Sequence, residues 1–417
     1  MKVNTKFIYF LVFSIATISF FFPNIHFIFS YKMQLFFTLN LLILLLILKK
    51  GNFKFNNLQK SAYFFFIFWI IYSLFTYFWA INKEFVFVTT LRYIVNFLIL
   101  YIILETFDDF KDFSIVLKLF YFILIVYIII AFWEVVTWQH LSTSGLTQRN
   151  AISFIPTGPF YNQNNFAWAI TMLVPFLLFS GKYYDNIFVK ITSSIMLFLI
   201  FIIFLLQGAR IALMIMVVDL LIYFIFFQNF KKKLAIISFS ILIILIFSVK
   251  YPQYFEFAKA YSLEEIQSFS KEDESFRLES IETRLMLVNY AIEMCLDSYL
   301  LGVGSGNFME NMNYGRTIST SGIKAAHNFI FELIATNGLF LVLLFSFFIL
   351  LIAVKLIINA RKMKNKNKFI VYAAGFSLLF FIPASAMPSS ILEYHCHWIV
   401  LSFIYSIYIV TCDQSSN

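Results

Sequence analysis

The chain has little charge. Only 13% of its 417 residues are charged, against about 25% in soluble globular domains, and 61% are hydrophobic. This composition excludes a soluble globular protein. Continuous apolar runs of roughly 17 to 25 residues, each long enough to cross a bilayer as a helix, recur along the sequence and argue against the alternating strands of a β-barrel. The sequence therefore predicts an all-α polytopic membrane protein.

Metal-binding residues are also scarce. The three cysteines are Cys295, Cys396 and Cys412. They have no metal-ligand spacing, and their odd number gives no disulfide framework. His395 and His397 form an HxH pair beside Glu393, but a metal site would need further ligands that the sequence does not place nearby. We therefore predict neither a metal site nor a cofactor.

The basic residues follow the pattern that orients membrane helices. About twelve transmembrane helices are predicted, over residues 7–22, 33–48, 61–80, 85–104, 114–133, 165–180, 191–206, 211–229, 234–249, 328–353, 369–382 and 391–410. Lysines concentrate in alternate connections, which the positive-inside rule places in the cytoplasm together with both termini. The net charge of +9 thus indicates topology and predicts no nucleic-acid partner.

The same topology leaves residues 250–324 as one large extracytoplasmic loop. No internal repeat or second domain is visible, so residues 1–417 are interpreted as a single integral membrane domain that contains this loop. Long translocated loops are exempt from the charge rule, so its charged residues do not contradict the topology. Its first half is typical of solvated helix or coil, and its second half, from Ile281, predicts an amphipathic helix.

Arginine is rare, with seven arginines against 24 lysines. Five of the seven lie on the predicted outer face, at Arg149, Arg210, Arg277, Arg284 and Arg316. The guanidinium fork binds phosphate in a bidentate manner, so outer arginines above a bilayer indicate a receptor for a lipid diphosphate. Pairing with the loop's own carboxylates is the preferred interpretation for Arg277 and Arg316. Phosphate binding is preferred for Arg210 and Arg284.

His327 stands with Asn328 where the large loop re-enters the membrane. A histidine can accept a proton near neutral pH, as attack by a sugar hydroxyl requires, so His327 is a candidate general base. The alternative is an ordinary histidine at the membrane interface with no catalytic role. Arg92, with Asn96 four residues later, lines a polar interior or makes a structural contact between helices.

Two loop sequences are further candidates for substrate contact. Residues 157–170, TGPFYNQNNFAWAI, include Asn162 and Asn165, which suit carbohydrate contacts, although such aromatic segments also anchor helices at membrane interfaces. Residues 302–308, GVGSGNF, are typical of a tight turn. Close approach of the backbone at Gly304 to a diphosphate is a second interpretation.

Taken together, these stretches resemble the O-antigen ligase and polymerase superfamily of bacterial membrane glycosyltransferases. The ordered motifs are GPFYNQNN, QGAR, ETRLMLVNYAIEMCLDSYLLGVGSGNF and AHNFIFELIATNGLF, which cover roughly residues 157 to 345. The sequence departs from the commoner pattern at Ala209, where a serine often precedes the arginine, and at Asn289, where an aromatic residue is usual. Neither difference removes a charged participant.

The resemblance implies a GT-C-like fold, a donor glycan on undecaprenyl diphosphate, and a glycan or lipid acceptor within the bacterial cytoplasmic membrane. It implies inverting transfer on the outer face without a metal ion. Arg210 and Arg284 would hold the diphosphate, and His327 would be the general base. We expect a polysaccharide polymerase, with an O-antigen-type ligase as the alternative. A lipid-linked glycan flippase is the competing class, for which related halves and interrupted helices near mid-membrane would be expected.

Overall fold

A computed structural model describes residues 5–23, 31–49, 55–148, 153–228, 274–313, 325–388 and 395–416. These parts of the chain are all-helical, with no β-strand among them. The helices are α1 Thr5–Phe21, α2 Tyr31–Lys49, α3 Asn57–Phe75, α4 Lys83–Thr106, α5 Phe110–Thr137, α6 Gly145–Gln148, α7 Gln163–Thr171, α8 Val174–Tyr184, α9 Ile187–Gln207, α10 Arg210–Phe227, α11 Glu274–Asp297, α12 Phe308–Met312, α13 Phe329–Asn337, α14 Leu339–Lys362, α15 Lys368–Leu379, α16 Phe381–Ala384 and α17 Cys396–Ser416. The 3₁₀ turn Thr76–Phe78 extends α3.

Eight helical segments in the described part are long and apolar enough to cross a membrane. They are Asn57–Phe78, Lys83–Thr106, Phe110–Thr137, Gln163–Tyr184, Ile187–Gln207, Arg210–Phe227, Leu339–Lys362 and Cys396–Asp413. Shorter apolar helices cover Ile8–Phe21, Gln34–Lys49 and Lys368–Leu379. The all-α character expected from the sequence is confirmed. The count of twelve and the GT-C-like arrangement stay predictions, and the span expected at 234–249 lies outside the described residues.

Three predicted spans are interrupted rather than continuous. The span at 165–180 breaks between α7 and α8, where Pro175 lacks the N–H that a continuous helix would need. The span at 328–353 breaks at Gly338, whose φ of 84° is not helical. The span at 369–382 divides into α15 and α16 at Phe380. Hydropathy averages over a window and therefore does not detect such local breaks.

Asparagine side chains begin several of the helices. Asn56, Asn82, Asn162, Asn186 and Asn328 each precede a helix and accept a hydrogen bond from its first turn. An N-cap of this kind contributes about 1 kcal/mol, because it satisfies a backbone N–H that has no partner within the helix. Two of the five asparagines, Asn162 and Asn328, are also predicted substrate contacts.

The core is built from the central helices. Helix α17 packs against α4, α14 and α15, while α8 packs between α9 and α15. Buried aromatic rings fill these contacts, including Trp69, Trp168 and Trp398. Helix α11 lies outside this core and packs on α13. This arrangement brings the second half of the large loop onto the segment where the chain re-enters the helix bundle.

Candidate functional site

The loop before α7 is held by a buried carboxylate at the end of α5. Glu134 accepts hydrogen bonds from the backbone N–H groups of Thr157 at 2.9 Å and Gly158 at 2.8 Å. It also accepts from the Thr157 hydroxyl and lies 3.1 Å from Nδ1 of His140. Gly158 has a φ of 55°, and a Cβ there would lie 2.7 Å from the Phe166 ring. These hydrogen bonds and the close packing of Gly158 fix the backbone conformation at the start of the GPFYNQNN segment.

The loop is also tied to the QGAR turn between α9 and α10. Nε2 of Gln207 donates to the Pro156 carbonyl at 2.9 Å. Gly208 then adopts a φ of 61° and ends α9 in a left-handed cap, after which α10 begins at Arg210. This turn is short, so the arginine is placed at the helix start. The predicted span junction is present.

Arg210 occupies a position that attracts anions. Its side chain is exposed, and it is the first residue of α10. The preceding residue, Ala209, provides no side-chain cap to the helix. The first N–H groups of a helix have no partners within it and carry partial positive charge, which a basic side chain at the same end increases. An anion bound here would satisfy both the N–H groups and the guanidinium.

Arg284 is positioned by the apolar face of α11. Leu287, Ala291 and Met294 recur at helical spacing on that face and are buried against Ala326 and Ala335. Arg284 lies one turn before Leu287, so it projects along the same side of the helix toward the start of the AHNF segment. Its guanidinium is half-buried.

His327 has an unusual backbone conformation. Its φ is 49°, in the left-handed region, which non-glycine residues other than Asn, Asp and His rarely adopt. The conformation is maintained from both sides, because Ala326 is buried against α11 and the N–H of Phe329 donates to the Ser385 carbonyl at 2.9 Å. Strained residues of this kind concentrate at functional sites. Nδ1 of His327 is buried and has no hydrogen-bond partner among the described residues.

The structure brings Arg284 within electrostatic reach of both Arg210 and His327. Burial, and then the charge of Arg210, lower the pKa of the Arg284 guanidinium. Burial, and then the charge of Arg284, lower the pKa of His327 to about 4. Within the part of the chain that the structure describes, neither Arg210 nor Arg284 forms an ion pair. The site therefore carries excess positive charge and a neutral imidazole.

The glycine loop after α11, residues 302–308, packs closely against neighbouring segments. The N–H groups of Val303 and Gly304 donate to the carbonyls of Ala335 and Thr336, at 2.7 and 3.1 Å. A Cβ at Gly304 would lie 2.5 Å from that of Ala80. These contacts agree with the tight-turn interpretation. Because the Gly304 N–H is already bonded, it is not available to a diphosphate in this conformation, and the proposed backbone contact has no support here.

A network of buried hydrogen bonds connects the glycine loop to α3 and α4. The Ser305 hydroxyl lies 2.8 Å from the Ser73 hydroxyl and accepts from Nδ2 of Asn337 at 2.8 Å. The Tyr93 hydroxyl donates to Oδ1 of Asn337 at 3.2 Å. Hydrogen bonds thus connect the loop, the end of α13 and the two helices.

The other predicted contacts lie at different places in the fold. Arg92 is close enough for its charge to act on His395, and Nδ1 of His395 lies 2.6 Å from Oδ1 of Asn96. These contacts join α4 to the last helix and match the structural alternative for Arg92. His397 stacks on Trp168, with ring centroids 3.6 Å apart. No group of three possible metal ligands occurs among the residues described.

The asparagines predicted as substrate contacts are used in part by the fold. Oδ1 of Asn162 accepts from the N–H of Asn165 at 2.9 Å, and Oδ1 of Asn328 accepts from the N–H of Phe331 at 3.3 Å. Asn165 is itself buried. A sugar contact at these positions stays a prediction. Arg149, Arg316 and Glu393, and the side chain of Arg277, lie outside the described residues.

Sequence reasoning did not identify Glu134, His140 and Gln207 as determinants of the site. Glu134 lies within an otherwise apolar run, AFWEVVT, and a carboxylate at such a position was the available signal. The role of Gln207 is a contact with Pro156, which is 51 residues earlier in the chain. Pairings of this kind leave no pattern in a single sequence.

Comparison with known proteins supports the class of protein that the motifs indicate. Residues 195–346, which include Arg210, Arg284 and His327, match the family model described as O-Antigen ligase. This match supports the resemblance inferred from the motifs, that is, an O-antigen ligase-type family of polysaccharide biosynthesis, and the apolar helices are consistent with a multi-pass membrane protein.

A curated relative is the teichuronic acid biosynthesis protein TuaE of Bacillus subtilis (strain 168). The two proteins are 27% identical over 367 residues, which cover 84% of this chain and 72% of the relative. The findings support a glycosyltransferase-like or ligase role, with a lipid-linked glycan and membrane lipid as partners.

Proposed function

We propose that this protein transfers a glycan from undecaprenyl diphosphate to an acceptor hydroxyl at the outer face of the cytoplasmic membrane. The observation that carries the proposal is the electrostatic proximity of Arg210, Arg284 and His327, which come from three separate segments. Two guanidiniums without carboxylate partners among the described residues match the charge and geometry of a diphosphate. The unpaired imidazole nitrogen beside them matches a general base.

The proposed reaction is a single displacement. The acceptor hydroxyl oxygen attacks the anomeric carbon while the bond from that carbon to the diphosphate oxygen breaks. Undecaprenyl diphosphate leaves with the bonding electrons, and the hydroxyl proton passes to His327. Attack opposite the leaving group inverts the anomeric configuration. Arg210, Arg284 and the N-terminus of α10 stabilise the charge that develops on the diphosphate, so the proposed reaction needs no metal ion.

Binding of the donor would also increase the basicity of His327. In the free protein its pKa of about 4 keeps the ring neutral at cellular pH, but a base of such low pKa accepts a proton weakly. The charge of Arg284 is one cause of that low pKa. A diphosphate bound to Arg284 would offset this charge and raise the pKa of His327. The base would then be strongest when the leaving group is in place.

We favour a polysaccharide polymerase over a ligase. The two activities differ in the acceptor, which is a further repeat unit in one and a lipid or wall anchor in the other. The similarity to a protein of teichuronic acid biosynthesis supports assembly of a cell-surface polysaccharide. The ligase is kept as the alternative, because the matched family model is described as O-Antigen ligase.

One feature of the fold, the presence of interrupted helices, is also compatible with the competing transporter class. Interrupted helices, as at Gly338 and before Pro175, also occur in transporters. The location of the charges distinguishes the classes, because Arg210, Arg284 and His327 gather where the large loop meets the helix bundle. The family match supports the enzyme.

The proposal is tested with purified full-length protein, lipid-linked glycan and acceptor, by measuring release of undecaprenyl diphosphate. We expect His327→Ala to lower the rate by roughly 10²- to 10⁴-fold, as for removal of a general base. We expect Arg284→Gln to lower it by roughly 10²- to 10³-fold. Lys83→Gln, which removes an exposed cation on the same predicted face, serves as the control and should retain activity.

Absence of release by the unmodified protein would refute the transferase function. Full activity in folded His327→Ala and Arg284→Gln variants would refute the assigned roles and leave the family unaffected.

A further inference from the structure

The connections at one end of the bundle line a cavity that is chemically different from the candidate site. It has a volume of about 640 Å³ and lies among the ends of α8 and α10 and the starts of α9 and α15. Its charged lining residues are Lys182, Lys190, Lys364, Lys366, Lys368 and Asp185. Helix α10 runs from Arg210 to this cavity, so the two sites are separated by roughly 25 Å along the helix axis.

Membrane topology alone does not explain why these lysines surround one cavity. The positive-inside rule explains lysines on this face, which is predicted to be cytoplasmic, but it does not require them to surround a cavity. Among the described lining residues Asp185 is the one carboxylate, and its Oδ1 accepts from Nζ of Lys190 at 2.7 Å. The hydrogen bond and charge of Lys190, with a further effect of Lys366, lower the pKa of this carboxyl. Among the described lining residues, five lysines are therefore present with one carboxylate.

One of the lysines is held inside the cavity. The half-buried Lys182 donates to the Phe227 carbonyl. Its Nζ also lies 5.7 Å from the centroid of the Tyr223 ring and 5.6 Å from that of Phe369. These contacts hold the ammonium, which lines the cavity, between a carbonyl and two aromatic rings. The turn between α14 and α15 adds Lys364 and Lys366 at the opening.

The walls are apolar as well as basic. Leu178 and Leu197 line the same cavity. A neighbouring cavity of about 580 Å³ is lined by Phe227, Ile222, Phe226 and Phe376, with Arg361 as its charged lining residue. The two cavities are adjacent at Phe227, whose carbonyl accepts the hydrogen bond from Lys182. A free phosphate ion gains nothing from such walls, whereas a molecule with an anionic head and an apolar chain matches both parts.

We propose that this pair of cavities binds an anionic membrane phospholipid, with its headgroup phosphate among the lysines and an acyl chain along the apolar cavity. Basic pockets between membrane helices on the cytoplasmic side bind such headgroups. The lipid would connect α8, α9 and α10 to the α14–α15 turn. This inference is independent of the proposed transfer reaction.

The test is native mass spectrometry of the full-length protein with phosphatidylglycerol, phosphatidylcholine or inorganic phosphate. The variant is Lys364→Gln combined with Lys366→Gln, which removes two exposed lysines at the cavity. The matched control is Lys60→Gln combined with Lys111→Gln, which removes two exposed lysines on the same predicted face away from it. We expect phosphatidylglycerol affinity to fall by roughly ten- to thirtyfold in the cavity variant and to be retained in the control.

Two results would overturn the proposal. Equal losses in both double variants would show general attraction to the surface rather than a site. Binding of phosphatidylcholine or inorganic phosphate as tightly as phosphatidylglycerol would show that no anionic lipid is recognised. Retention of phosphatidylglycerol by Arg284→Gln is expected, so failure of the transferase proposal is distinguishable from failure of this one.

Discussion

The charge of Arg284 influences the ionisation of His327, which makes the candidate site testable without substrate. The low pKa of His327 has burial as its main cause and the Arg284 charge as its second. Removing the charge leaves the burial effect in place. The pKa of His327 should therefore rise in an Arg284→Gln variant while staying below the ordinary value of about 6.5.

This shift is measured by the pH dependence of His327 modification with diethyl pyrocarbonate, followed by mass spectrometry. Only the neutral imidazole reacts, so the midpoint of the reaction reports the pKa. We expect the midpoint of Arg284→Gln to move upward from about 4, and that of Lys83→Gln to stay unchanged. An unchanged midpoint in Arg284→Gln would show that the two residues are not electrostatic neighbours.

At the scale of elements, the glycine loop determines how α11 and α13 are joined to α3 and α4. Gly306 has a φ of 75°, and a Cβ there would lie 2.2 Å from Oγ1 of Thr89. Gly208 has a similar φ of 61°, but a Cβ there would have no neighbouring atom within 4 Å. An alanine at Gly208 would therefore experience backbone strain alone, whereas an alanine at Gly306 would experience the same strain and a steric clash.

We expect Gly208→Ala to lower the free energy of unfolding by about 1 to 2 kcal/mol, the cost of a left-handed alanine. Gly306→Ala should lower the free energy of unfolding by more than Gly208→Ala does, because Thr89 must also move to relieve the clash with the new Cβ. Thermal unfolding in detergent compares the two variants. Equal losses of stability would contradict the close packing of this loop against α4.

At the scale of the whole molecule, the predicted topology places the two proposed sites on opposite faces of the membrane. Tyr299, after α11, is 88% exposed on the predicted outer face. Asn365, between α14 and α15, is exposed on the predicted inner face.

A membrane-impermeant maleimide should label Tyr299→Cys in intact cells, and should label Asn365→Cys only after the membrane is opened. The unmodified protein is the control, because Cys295 and Cys396 are buried and Cys412 is half-buried. Labelling of Asn365→Cys in intact cells would invert the topology and place the lysine cavity outside.

Much of the site was predictable residue by residue. Arg210 and Arg284 stood out because guanidinium is rare in this chain and occurs where the positive-inside rule does not require it. His327 stood out because it marks the return of the chain to the membrane. Glu134 and Gln207 did not stand out, because their importance lies in hydrogen bonds to a distant loop. The bond from the Gly304 N–H to Thr336 was likewise not predictable, because it joins two segments that the fold brings together.

The sequence by itself determined that the chain is a helical membrane protein, which connections carry the lysines, and which residue types are suited to a diphosphate. These properties are local, since hydropathy and side-chain chemistry depend on the residue and its near neighbours. Tertiary structure decided that Arg284 lies within electrostatic reach of Arg210 and His327, that α7 and α13 are separate short helices, and that lysines of separate turns share a cavity. Such distances depend on how helices pack, and packing depends on the shapes of surfaces that are far apart along the chain.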